Sequence, residues 1–313
     1  MALDPDLEGF LELAQLGRLS GKTRPMHELS VAQARSEFEL TSGMLDSAPP
    51  SDLVVRDLHV QGRDGHLLPV RLYRCGGDSI QPGILYFHGG GNVVGSLDSH
   101  DAVCRRLAFG GRQAVVSVGY RLAPEHVHPA ASNDAVDVAQ WLAEQAAGLG
   151  IDACAVSVAG DSAGATLACV VSMSAQRGEC RLLPAAQLLF YPVADISRER
   201  PSHDQYEEGY LLERDTLRWF YRQYCPDEQQ RTDWRLSPLL ADFATPQVRT
   251  FISLAEFDPL FDEGMALAQR LQEAGTQVTL RVEHGFTHDF LRMSGISSRV
   301  SDIYAAVDDW LNP

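Results

Sequence analysis

Basic side chains are scarce in this 313-residue chain: 26 Lys and Arg stand against 42 Asp and Glu, a formal charge of -16 at pH 7. That deficit excludes a nucleic-acid partner, because proteins that hold a phosphate backbone gather Lys and Arg on one face. It also opposes an anionic lipid surface. No stretch reaches the roughly 20 apolar residues of a membrane-spanning helix. The opening "MALDPDLEGF" has acids where a secretory leader has bases followed by an apolar run. Cys-x-x-Cys spacing is missing too. Cys75, Cys104, Cys154, Cys169, Cys180 and Cys225 are scattered, as reduced thiols of a cytoplasmic protein would be, unlike a disulfide framework or a zinc ribbon. Internal repeats and low-complexity tracts are absent, and so are the two common glycine-rich nucleotide cradles.

What remains is an ordinary globular composition, 45% hydrophobic and 22% charged, in a chain able to bury about three quarters of its unfolded surface in one domain. The first 45 or so residues read as helical: Asp4-Pro5 suits an N-cap and first turn, and Leu3, Leu7, Phe10, Leu11 and Ala14 share a helical face. Two strand-like runs, 53–60 and 67–75, flank the hairpin signal Asp64-Gly65. Strands are then expected at 83–90, 114–120, 154–160, 185–192, 250–257 and 277–283. Helices fall between them, near 99–109, 130–147, 162–177 and 261–274, with a last one near 298–311. Short apolar runs alternating with amphipathic helices mean a mostly parallel eight-stranded sheet covered on both faces, a three-layer α/β sandwich. Ligands in such folds bind beyond the carboxyl ends of the strands, so the loops there carry the function.

One of those loops is "GDSAG", 160–164, a G-x-S-x-G at a strand-to-helix junction. Such a tight turn holds a serine hydroxyl above the sheet, which marks Ser162 as a nucleophile. Acyl transfer also needs donors aimed at the developing carbonyl oxyanion. "HGGG", 88–91, supplies N–H groups free of Cβ atoms, and Gly89 and Gly90 are expected to act with the N–H of Ala163. His88 is expected to position this loop. In "EFDPLFDEG", 256–264, Asp258 ends a strand before the stiff Pro259, while Asp262 and Glu263 fall in the first turn of a helix, where acids are common for other reasons. Asp258 is therefore the expected partner of the base. The base itself comes from "EHGFTHDF", 283–290, which offers His284 and His288.

With these residues in place the chain resembles the bacterial hormone-sensitive-lipase-like carboxylesterases, family IV. The resemblance runs through "HGGG" (88–91), "YRLAPEH" (120–126), "GDSAG" (160–164), "YPVAD" (191–195), "EGYLL" (208–212), "SPLLA" (237–241) and "EFDPLFDEG" (256–264). It implies an α/β-hydrolase fold with a helical cap, here about 1–45 and 195–245, and hydrolysis of short- to medium-chain esters. It also implies that no cofactor is needed and admits a homodimer paired through the last strand. The family's G-x-x-H-x-F matches Gly285, His288 and Phe290, which selects His288 as base and leaves His284 to support the loop. Asn92 departs from the aromatic or bulky residue common after the glycines. Tyr120, Arg121 and Glu125 are expected to brace the loop after the fourth strand. Asn92, Asp161, Tyr191, Tyr210 and Phe286 are candidate pocket residues, with Tyr206 and Trp219 as candidates for the entrance. Leu217, Phe220, Tyr221 and Tyr224 have the spacing of a helix packed on a core.

Rival readings are a metal hydrolase, a non-catalytic ligand receptor, and an amidase, lactonase or natural-product deacetylase using the same residues. The pair His284 and His288 lacks the Glu of H-E-x-x-H and follows a strand, and "EHVHP" at 125–129 offers no third ligand, so no metal is expected. The receptor reading requires a missing base, whereas serine, acid and histidine are all present.

Overall fold

The computed structural model describes residues 2–46, 48–77 and 79–312, so the outermost residues of the expected domain and cap, 1 and 313, lie outside it. Its centre is an eight-stranded sheet of β1 (Val54–Gln61), β2 (Leu67–Arg74), β3 (Gln81–Phe87), β4 (Ala114–Val118), β5 (Ile151–Asp161), β6 (Ala186–Phe190), β7 (Thr250–Phe257) and β8 (Val278–Thr287). The order is β1-β2-β4-β3-β5-β6-β7-β8. β2 runs antiparallel to β1 and β4, and every other neighbouring pair is parallel. This is the α/β-hydrolase arrangement, and the expected strands are all present.

The helices of the sandwich are α3 (Asp101–Gly110), α4 (Ala130–Gln145), α5 (Ala163–Gln176), α8 (Phe261–Glu273) and α9 (Val300–Leu311), and α1 (Pro5–Leu19), α2 (Val31–Leu45), α6 (Pro201–Gln205) and α7 (Arg214–Tyr224) complete the set. Period-two alternation in the strands divides the core between the two faces of the sheet. Leu85 and Phe87 of β3 join Val116 of β4 and Val170 of α5 on one face. Ile84 and Tyr86 join Val115, Leu107 of α3 and Val307 of α9 on the other.

Two features place the site. The chain leaves β3 toward β4 on one side and later builds β5 through β8 on the other, so the strand order reverses at β3 and β5. A crevice opens outside the carboxyl ends of strands at such a reversal, and both "HGGG" and "GDSAG" stand there. The second feature is β8, which runs four residues past its expected end at 283. Gly285, in the left-handed region at φ 85°, carries the chain through a shift of register, so that Phe257 pairs with Thr287 beyond Ala255 and Glu283. The extension delivers residue 288 to the top of the sheet. The amino terminus is tied to the same turn, since Asp4 N–H donates to Gly285 O at 3.0 Å and the Asp4 carboxylate caps α1 through the N–H groups of Asp6 and Leu7.

Candidate active site

Ser162 stands between the last residue of β5 and the first of α5 with φ 53° and ψ -121°, a strained conformation for a side chain with a Cβ. Tight surroundings enforce it. A Cβ on Gly164 would collide with the Phe87 carbonyl of the neighbouring strand, so only glycine lets α5 approach this closely. The serine hydroxyl is left facing His288, whose Nε2 lies 2.9 Å from Oγ. Nδ1 of the same ring is 2.7 Å from Asp258 Oδ2. The other oxygen of Asp258 accepts the Leu260 N–H at 2.8 Å, which fixes the carboxylate on its turn. All three side chains are buried. Burial disfavours the charged ring of His288, but the charge of Asp258 and its hydrogen bond more than offset this and hold the imidazole above its ordinary pKa.

His284 is brought to the same loop but not to the serine. It is half exposed, with Nδ1 3.3 Å from a Glu256 carboxylate oxygen, and it braces the strand end. The two histidines therefore do not converge on a common point.

The glycine turn differs from expectation at one residue. Gly89 N–H donates to Asp161 Oδ1 at 2.9 Å, so it is spent on the protein and faces away from the serine. Gly90 and Gly91, not Gly89, line the cavity that holds Ser162 and His288, and among the described residues neither has a partner for its N–H. Gly91 takes φ 60°, and a Cβ there would enter the Phe220 ring. Ala163 is the first residue of α5, where a backbone N–H has no partner within the helix. Gly90, Gly91 and Ala163 are thus the available donors.

Asp161 also departs from expectation. It is fully buried beneath the turn rather than in the pocket: the Tyr86 hydroxyl donates to Oδ1 at 2.5 Å, and His100 Nε2 lies 3.4 Å from Oδ2. Burial alone would push this carboxyl up, but the neighbouring His100 and Tyr86 hold it at about 2. His88 shares the floor. Its Nδ1–H donates to Gly89 O at 2.7 Å, its ring stacks on Tyr120 at 4.3 Å, and its carbonyl accepts the Tyr120 hydroxyl at 2.7 Å. Burial, with His100 close by, pushes His88 down to about 3, so it stays neutral. Arg121 binds Asp134 and Asp64, and Glu125 binds Arg35 of α2. These are bracing contacts.

The remaining pocket candidates fall elsewhere. Tyr191 has φ 36°, its N–H donates to Ser253 O, and its buried ring packs on His288 at 4.6 Å, so it supports the base. Phe286 is buried against Phe290 and does not line the cavity. Tyr210 stacks on Phe257 and borders an outer groove beside α1. Trp219 is buried against Phe220 and Tyr206 packs edge-on to Tyr210, and neither lines the cavity. Asn92 walls a smaller neighbouring space.

The cavity that holds Ser162 and His288 measures about 250 Å³. Its walls are Leu29, Phe38 and Leu45 of the amino-terminal segment, Leu217, Phe220 and Tyr221 of α7, and Arg292 beside the base loop. Residues read from α7 as ordinary core therefore also face substrate space. Phe38 and Leu45, seven apart on α2, were legible as one helical face. Arg292 carried no signal; it is buried, bonded to Asp289 at 2.9 Å and stacked over Phe38 at 4.0 Å.

Among the described residues no group of three His, Cys, Asp or Glu side chains could hold a metal ion, and no described helix is long and apolar enough to cross a membrane. The six cysteines are unpaired.

Known proteins share this framework. The family model for the alpha/beta hydrolase fold matches residues 84–292. The ethyl acetate hydrolase of Pseudomonas putida is 46% identical over 301 residues, 95% of this chain and 94% of the relative. Carboxylic ester hydrolase LipN of Mycobacterium tuberculosis is 40% identical, over 93% of this chain and 77% of its own. Among solved structures, the ester hydrolase EH1AB1 from the metagenome of Lake Arreo superposes with a TM-score of 0.93 at 35% identity, covering 99% of this chain and 98% of that one. The Pyrobaculum calidifontis esterase gives 0.90 at 34%, with 99% and 98% covered. The chain belongs to the α/β-hydrolase fold family, in its hormone-sensitive-lipase-like branch.

Proposed function

We propose that this protein is a carboxylesterase that cleaves short- to medium-chain esters through an acyl-enzyme on Ser162. The observation that carries the reading is the unbroken chain from Asp258 to His288 to Ser162, with contacts of 2.7 and 2.9 Å. The names of the two relatives above support it, since both are ester hydrolases of at least 40% identity. In the first step His288 Nε2 takes the proton of Ser162 as Oγ attacks the ester carbonyl, and Asp258 stabilises the imidazolium. The tetrahedral oxyanion accepts hydrogen bonds from the N–H groups of Gly90, Gly91 and Ala163, each worth about 3–4 kcal/mol of transition-state stabilisation. His288 then protonates the leaving alcohol, and a water molecule repeats the sequence to release the acid.

On this reading α1, α2, α6 and α7 form a cap, residues of about 1–45 and 195–245, that roofs the cavity and excludes bulk water. Six unpaired cysteines favour a reducing, cytoplasmic setting. β8 ends the sheet with one neighbour, leaving an edge along which a second copy could pair. Hydrolysis of a chromogenic acetate or butyrate ester tests the activity. Turnover that disappears in Ser162→Ala is expected, and no turnover of any ester by the intact protein would refute it.

A further inference from the structure

Behind the glycine turn lies a second cavity of about 20 Å³, walled by Gly91, Asn92, Ala163, Thr166, Val193 and Tyr221 with their neighbours. It shares Gly91, Val193 and Tyr221 with the catalytic cavity. Neither Ser162 nor His288 borders it. A space above about 10–15 Å³ on this measure admits one water-sized group, so the side cavity takes a single heavy atom.

Its lining is mainly apolar, with a few buried polar atoms set into it. Asn92 is 8% exposed, and its Oδ1 has no hydrogen-bond partner. The hydroxyl of Tyr221, buried on the facing helix α7, has none either. The Asn92 backbone is anchored at φ 59°, with its carbonyl accepting the Ala123 N–H at 2.8 Å. The Tyr224 hydroxyl, on the same lining, has no partner either. Buried polar atoms left unpaired each cost about 1–3 kcal/mol, and an occupant that both donates and accepts would relieve Asn92 Oδ1 and the Tyr221 hydroxyl together.

The chemistry fixes which part of an ester reaches it. His288 must hand its proton to the leaving alcohol, so the alcohol occupies the cavity that His288 lines. The acyl chain extends from the carbonyl to the other side, past Gly91 and Ala163. We propose that the side cavity is a subsite for the 2-hydroxyl of an acyl group, so that within the short- to medium-chain range 2-hydroxyacyl (glycolyl-type) esters are favoured over their unsubstituted analogues. The substrate hydroxyl donates to Asn92 Oδ1 and accepts from the Tyr221 hydroxyl, and a water molecule fills the same place in the free protein. This inference rests on the esterase reading.

Ethyl glycolate and ethyl propionate test it, because they differ only by hydroxyl against methyl at that atom. Acid release is followed at constant pH, and kcat/KM for each ester is divided by its rate with hydroxide to remove intrinsic reactivity. The expected normalised ratio favours glycolate by about tenfold, the worth of one well-made hydrogen bond. It should fall toward one in Asn92→Gly, which tolerates the left-handed backbone, and in Tyr221→Phe, which keeps the ring. Using a ratio cancels any general loss of activity in either variant. Equal normalised rates in the wild-type protein mean the cavity holds only water and overturn the subsite, as does a glycolate preference that survives both substitutions. Absence of hydrolysis of every ester overturns the esterase reading instead.

Discussion

Asp161 is the test of how the turn that binds the oxyanion is held. Its carboxylate accepts from Gly89 N–H at 2.9 Å and from the Tyr86 hydroxyl, with His100 Nε2 3.4 Å away, all out of contact with solvent. Asp161→Ala strands those groups, and at about 1–3 kcal/mol each the loss is on the order of 3–5 kcal/mol of stability. That is a large share of the roughly 5–15 kcal/mol that keeps a domain folded. Releasing Gly89 also lets Gly90 and Gly91 drift from their aim, and losing one such donor lowers kcat by about 10²–10³. Asp161 does not line the catalytic cavity, so KM should change by less than about threefold, the pattern of an interaction lost only in the transition state. Asp161→Asn keeps an oxygen for Gly89 and Tyr86 and gives up only the charge facing His100, so its kcat should fall by less than about tenfold. Steady-state kinetics on a chromogenic ester, with circular dichroism to show that the variants are folded, decides the matter. A folded Asp161→Ala with wild-type kcat would refute the reasoning.

Three further outcomes follow from the same geometry. His288→Ala should abolish turnover while His284→Ala, which loses only its contact with Glu256, retains most of it; the reverse result would place the base one turn earlier. Because protonated His288 cannot accept the serine proton, kcat/KM should rise with pH along a limb centred above the ordinary histidine pKa of about 6.5. Asp258→Asn should move that limb down, and a limb that ignores the substitution would contradict the assignment. Burial pushes the Glu263 carboxyl up to about 8, so the folded protein keeps a proton that the unfolded chain gives up above about pH 4.3. Glu263 therefore costs stability increasingly from that pH to about 8, and Glu263→Gln, which still accepts from Ala194 N–H, should melt higher than wild type at pH 8 but not at pH 4. Parallel melting curves at both pH values would count against it.

Strands, helices and the serine turn were legible because they rest on local pattern: the short apolar runs of β3 through β7, the strand–glycine–helix junction at 160–164, the stiff Asp258-Pro259 turn. β8 runs past its expected end because Gly285, which looks like a terminator in sequence, bridges a register shift that only the pairing with β7 reveals. Gly89 departs from its expected role for a similar reason. Its sequence neighbours are equivalent glycines, and the difference lies in a carboxylate 72 residues away that takes its N–H. Asp161 adjoins Ser162 in sequence, yet the turn sends the two side chains apart and buries the carboxylate, while the packing of Tyr191 on His288 joins distant segments that no local pattern connects. The spacing of Phe38 and Leu45 marks one face of α2 but not what that face covers, which depends on how the amino-terminal helices dock, and Arg292 carries no pattern of its own.

The central claim is that Ser162, activated by His288, becomes covalently acylated. Incubating the protein with an activated organophosphonate ester and measuring intact mass, followed by peptide mapping, tests it most directly. The account predicts one adduct per chain on the peptide holding Ser162, absent in Ser162→Ala and strongly slowed in His288→Ala. Stoichiometric labelling at another residue, or ester turnover that survives Ser162→Ala, would contradict it.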